Sequence, residues 1–60
     1  MPESTISKKD RYEVIHLGLH GTEWIVIIWD RREKRVAGST YSKSLDKAVE
    51  ASREIIRSLQ

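Results

Sequence analysis

The chain has 60 residues, of which 38% are hydrophobic and 33% charged, with a formal net charge of +2. That length allows one small domain, burying only about 60% of the surface its unfolded chain exposes. The absence of cysteine excludes disulfides and thiolate metal sites, and the small net charge excludes a protein that coats nucleic acid by bulk charge alone.

A cysteine-free chain suits a reducing compartment, so a cytoplasmic location is expected. No apolar stretch approaches the roughly 18 residues of a membrane helix. Met1-Pro2-Glu3-Ser4-Thr5 lacks a basic segment followed by an apolar one, so no signal peptide is expected. Small domains without a covalent or metal staple commonly rely on idealised packing or on oligomerisation.

Residues 1–10 hold one strong hydrophobe besides Met1, namely Ile6, among Ser, Lys, Glu and Asp. They read as a flexible tail, with a single domain over 11–60. From Arg11 the pattern changes to a first strand at about 12–19, Tyr12 to Leu19. Gly18 within it marks a bulge or a close backbone approach. His20-Gly21-Thr22 is a short turn, with Gly21 suited to positive φ.

The second strand, about 23–30, carries Trp24-Ile25-Val26-Ile27-Ile28-Trp29. This run of β-branched and aromatic residues has no charge, Gly or Pro. Side chains alternate along a strand, so Trp24, Val26 and Ile28 face one side and Ile25, Ile27 and Trp29 the other. Both faces call for burial, and the pattern leaves open which one meets the rest of the domain.

Asp30-Arg31-Arg32-Glu33-Lys34 is an all-charged connection that reads as a second hairpin loop. A more polar third strand follows at about 34–41, suited to an edge. Ser44 is placed as an N-cap whose hydroxyl accepts from a first-turn amide. Leu45, Ala48, Val49, Ser52, Ile55, Ile56 and Leu59 then recur at helical spacing as one apolar stripe, interrupted only by small Ser52. Asp46 near the start and Arg57 near the end complement the helix dipole.

The order is therefore β-β-β-α. The fold class is α+β: a three-stranded antiparallel meander packed against one C-terminal helix. One helix covers one sheet face, so at least one Trp and two aliphatics remain on the other. Large exposed apolar patches mark interaction sites. The expected interface residues are Trp24, Val26, Ile28, Ile25, Ile27 and Trp29. The partner expected on this pattern is a second copy of the chain, and the role a binding or regulatory module rather than an enzyme.

Between Arg31 and Lys43 lie five cations (Arg31, Arg32, Lys34, Arg35, Lys43) against one anion, Glu33. Lys8, Lys9 and Arg11 add a second basic group. These residues are the candidates for contact with duplex DNA, because an Arg-bearing hairpin can enter a groove or track phosphates. The plainer reading is a solvated tip with charges guarding a sticky strand. His16 and His20 lie four apart on or beside a strand, about 13 Å at about 3.3 Å per residue, so without a turn between them they are not expected to share a metal ion and read as ordinary surface or edge histidines. No nucleophile–base pair stands out, and no catalytic, cofactor or metal set is expected; nor is a small-molecule substrate or a membrane.

Trp24-Ile25-Val26-Ile27-Ile28-Trp29-Asp30, then Arg31-Arg32-Glu33-Lys34-Arg35-Val36, then Gly38-Ser39-Thr40-Tyr41, then Ser44 and an Ala-containing helix follow a known order. That stretch resembles the plant APETALA2/ethylene-response-factor DNA-binding domain, and also phage-type integrase amino-terminal domains. The resemblance implies a three-stranded sheet on one helix, reading the major groove with Arg and Trp from the sheet. The chain departs from that pattern in strand 2, where Ile27 and Ile28 stand in place of polar or Arg side chains, and in strand 1, which offers Glu13, Ile15 and Leu17. A second resemblance is to small uncharacterised bacterial proteins with a strand hairpin and a single helix, and it implies no activity.

Overall fold

The computed structural model describes residues 8–60. The tail expected over 1–10 lies outside the described residues as far as Ser7. Beyond it Lys8–Arg11 forms one helical turn, α1. The turn is tied down at its end, where the Arg31 amide donates to the Arg11 carbonyl at 2.7 Å.

Three strands follow: β1 (Tyr12–His20), β2 (Glu23–Asp30) and β3 (Arg35–Ser42), then helix α2 (Leu45–Leu59). The sheet order is β1-β2-β3 with both pairings antiparallel. The β-β-β-α architecture is thus the one the hydrophobic periodicities dictate. The apolar run forms the central strand, because only a central position lets its backbone pair on both edges.

The loops close by local chemistry. Gly21 has φ 68° and His20 pairs with Glu23, so the first hairpin turns on two residues with Gly in the first position. Lys34 holds φ 57° in the second loop, where its amide donates to the Asp30 carbonyl at 2.8 Å. The left-handed conformation at Lys34 lets the chain re-enter the sheet at Arg35.

Each hairpin carries one irregularity. The β1 register shifts between Val14 and His16, leaving Ile15 as the extra residue. The β3 register shifts opposite Ile28 and Trp29, with Ala37 extra. Bulges raise local twist, and both fall beside the same stretch of β2.

Residues opposite one another in register share a face. Tyr12, Val14, Leu17 and Leu19 therefore lie with Trp24, Val26, Ile28 and Asp30 on one face, together with Gly38, Thr40 and Ser42. The helix packs on this face. Val26 and Ile28 are 0% exposed against Ala48, with Tyr12, Trp24, Ala37, Ile55 and Ile56 packed around them. The helix comes close over β3: a Cβ on Gly38 would stand 3.4 Å from Cγ2 of Ile55, at van der Waals contact. Buried Ser52 satisfies its hydroxyl by donating to the Val49 carbonyl at 2.6 Å.

The expected Ser44 cap is not made. Ser44 is extended, at φ −120° and ψ 134°, and its hydroxyl makes no capping hydrogen bond. Its amide instead donates to the Ser42 hydroxyl at 3.3 Å, and its carbonyl accepts from Ala48 at 2.9 Å. Asp46 and Arg57 do occupy the first and last turns.

Candidate functional site

The face away from the helix is open. In register it carries Glu13, His16, Gly18 and His20 from β1, Glu23, Ile25, Ile27 and Trp29 from β2, and Val36, Ser39 and Tyr41 from β3. Ile25, Ile27 and Trp29 run down its middle and are half-buried by their strand neighbours alone. Val36 and Tyr41 beside them are 53% and 67% exposed. None of these register positions is Lys or Arg.

The six residues expected at an interface thus divide. Ile25, Ile27 and Trp29 lie on the open face, whereas Trp24, Val26 and Ile28 are committed to the helix. The residue types on β3 carried a signal for this choice. Ala37, Gly38 and Thr40 make a low surface that a helix can approach, while Val36 and Tyr41 stand proud on the opposite side.

A second apolar strip lies on the helix side of β1. Leu17 and Leu19 are 43% and 56% exposed, and Val14 and Ile15 are exposed too. The helix packs mainly on β2 and β3 and reaches β1 chiefly at Tyr12, so this half of the edge strand is left bare.

The basic residues do not gather in one place. Arg31, Arg32, Lys34 and Arg35 lie at the end of the sheet where β2 passes to β3, while Lys43 follows the far end of β3. Eight residues of strand separate the two ends, roughly 25 Å at about 3.3 Å each. Arg31 is already engaged, donating to Oε1 of Glu13 at 2.7 Å. That pairing holds the Glu13 carboxyl below its ordinary range and raises Arg31.

The loop that carries these cations is held by Asp30, a role its place in an all-charged run concealed. Oδ1 of Asp30 accepts from the Arg32 and Glu33 amides at 2.9 and 3.1 Å. Arg11 then grips both carboxylate oxygens, with Nε and Nη2 each at 3.0 Å. Asp30 is 4% exposed, so its charge is shielded from water and met entirely by these donors. The Arg11 guanidinium hydrogen bond, opposed by burial and aided by the two amides, brings its pKa down from 3.8 to about 2. Arg11 also stacks 5.1 Å from the Tyr12 ring centroid. The signal for this loop was an Asp directly before a turn, whose short side chain reaches backbone amides two and three residues on.

The histidines correct the expectation of separate surface rings. Nε2 of His16 lies 2.8 Å from Nε2 of His20, with ring centroids 5.0 Å apart and the planes tilted by 48°. The spacing of Cα atoms along a strand does not bound where two long side chains end. Gly18 lies between them on the same face and has no Cβ, so both rings lean inward over it. A Cβ there would come 3.1 Å from Nε2 of His16 and 3.6 Å from Nε2 of His20.

Among the described residues no group of three or more His, Cys, Asp or Glu converges as a metal site, and no helix is long and apolar enough to cross a membrane. No family model, curated protein or solved structure matches this chain.

Proposed function

We propose that this chain is a small binding or regulatory module that acts as a homodimer, joined through the open face of its sheet. The observation that carries the reading is the apolar strip of Ile25, Ile27 and Trp29, flanked by exposed Val36 and Tyr41, on a face whose strand positions carry no Lys or Arg. An anionic ligand would meet no cation along that strip, and Arg31 at its end is paired with Glu13. A second copy would meet β-branched and aromatic side chains of matching type. Two sheets can pack face to face about 10 Å apart with their inner side chains interleaved.

The size of the domain supports the same reading. Among the described residues, those 0% exposed are Val26, Ile28 and Ala48, a small core for a free-standing fold. Burying a second face adds about 25 cal/mol for each Å² of apolar surface removed from water. Light scattering at micromolar concentration is expected to return twice the 7.0 kDa chain mass. Ile27→Lys is expected to return the single-chain mass with its circular dichroism unchanged. A wild-type protein that stays monomeric would sink the proposal.

A second reading rests on the Asp30-held loop. It presents exposed Arg32, Lys34 and Arg35 on a preordered turn, a form that tracks phosphates without a cost for ordering the loop. In that reading the chain binds duplex DNA through residues 31–35, with Lys43 too distant to join them. Such binding weakens steeply as salt rises, and replacing Arg32, Lys34 and Arg35 with Ser is expected to abolish it. Binding indifferent to those changes leaves the loop as a solubilising tip.

A further inference from the structure

We propose that His16 and His20 form a two-histidine chelate for a divalent transition-metal ion that favours imidazole, namely copper, nickel or zinc. The argument is geometric. The two Nε2 atoms lie 2.8 Å from each other above Gly18, on the edge strand of the sheet and beside the Ile25, Ile27 and Trp29 strip proposed to meet a second copy. Two cis nitrogens of a square-planar copper or nickel ion sit about 2.9 Å apart for metal–nitrogen bonds near 2.0 Å. Two nitrogens of a tetrahedral zinc ion sit about 3.3 Å apart. The first separation is already present and the second needs the rings to part by about half an ångström; in either case a change of side-chain torsion turns the two nitrogens, which face each other in the hydrogen bond, toward a common point.

The backbone builds this convergence. The strand places His16, Gly18 and His20 on one face, and the missing Cβ at Gly18 clears the space into which the rings lean. The β1 irregularity just before His16 adds local twist at its base. His20 stands opposite Glu23 in register, so a carboxylate belongs to the same end of the face and favours a cation. With no third ligating side chain gathered there, water completes the coordination.

The proton balance is simple. At 2.8 Å one Nε2 carries the hydrogen and the other accepts it. For both Nε2 lone pairs to face the ion, the donating ring moves its proton to Nδ1 through solvent. Two neutral imidazoles thus bind the ion with no net proton release. Oxygen-seeking magnesium gains nothing from such a pair.

The test is a zinc titration of the untagged full chain above neutral pH, followed by the imidazole ¹⁵N resonances. The Nε2 signals of His16 and His20 are expected to move together, with one midpoint and one ion per chain, and magnesium to move neither. Losing the second ligand of a chelate forfeits its effective concentration, so His16→Gln and His20→Gln are each expected to weaken binding by about tenfold or more. Gly18→Ala keeps both rings but crowds His16, and is expected to weaken zinc without removing a ligand. Both side chains are on the open face, and circular dichroism confirms that each variant folds. Different midpoints for the two rings, or affinity unchanged in the Gln variants, overturns the chelate. Unchanged affinity in Gly18→Ala overturns convergence over Gly18 as its basis.

Discussion

Strand β2 has two faces of nearly equal hydrophobicity and opposite fates. Trp24, Val26 and Ile28 meet a helix across small residues, and the last two lose all contact with water. Ile25, Ile27 and Trp29, one residue out of phase, gain only the partial cover of flanking strands. Hydrophobicity therefore does not by itself set the core of this protein. What sets it is whether the neighbours are low enough for another layer to come close. The uncovered set stays half-exposed, and it is the surface proposed for a second copy.

The sharpest way to break this contrast is to truncate the same residue type on each face. Ile28→Ala removes a fully buried side chain and is expected to cost about 3 kcal/mol, enough to unfold much of so small a domain. Ile27→Ala at a concentration where the chain is monomeric is expected to cost under about 1 kcal/mol, near the range of surface changes. Urea denaturation of both variants measures the difference, and equal losses would remove the distinction between the faces.

The next effect concerns the loop at the end of both faces. Asp30→Ala strips the Arg32 and Glu33 amides and Arg11 of their shared acceptor. It is expected to lower Tm by about 10 °C, against a scale of roughly 4–8 °C per kcal/mol for a domain of this size. The wild-type pH dependence follows from the same carboxylate. The unfolded group takes up its proton near 3.8 and the folded one only near 2. Its contribution is therefore complete above about pH 4 and is lost as pH falls toward 2. Thermal melts across that window are expected to show the loss in wild type and a flatter profile in Asp30→Ala.

On the open face, Trp29→Ser and Tyr41→Ser test the contact with a second copy. Each is expected to raise the dimer dissociation constant by about tenfold or more, as aromatic anchors do, while leaving the monomer's Tm within a few degrees. Sedimentation equilibrium reads this directly. The smallest effect is expected at the start of the helix that makes the buried face. Ser44→Ala removes a hydroxyl that caps nothing, so its cost is expected to stay below about 0.5 kcal/mol, where a working serine cap is worth about 1 kcal/mol. A larger loss by calorimetry would mean that the cap forms in solution.

Much of the fold was legible because its signals are local. The apolar run bounded by Gly21 and Asp30 reads as a strand, and the stripe from Leu45 to Leu59 reads as a helix, each from its own period. Asp30 was harder to read. Its neighbours Arg31, Arg32 and Glu33 made it look like one more surface charge, although an Asp before a turn is a recognisable acceptor of backbone amides. The histidine pair is not legible from Cα spacing along a strand, because side chains that lean over a glycine are not held to that distance.

The sequence by itself determined the element order, the two sets of side chains that alternate along β2, and the excess of apolar surface over what one helix can cover. These follow from periodicity and composition. Only the tertiary structure decided which set the helix takes, where Arg11 goes, and that His16 and His20 meet. The first two depend on residues distant along the chain, such as Gly38 under Ile55 and Arg11 beside Asp30, and the third on how two side chains lean over Gly18, none of which a local period encodes.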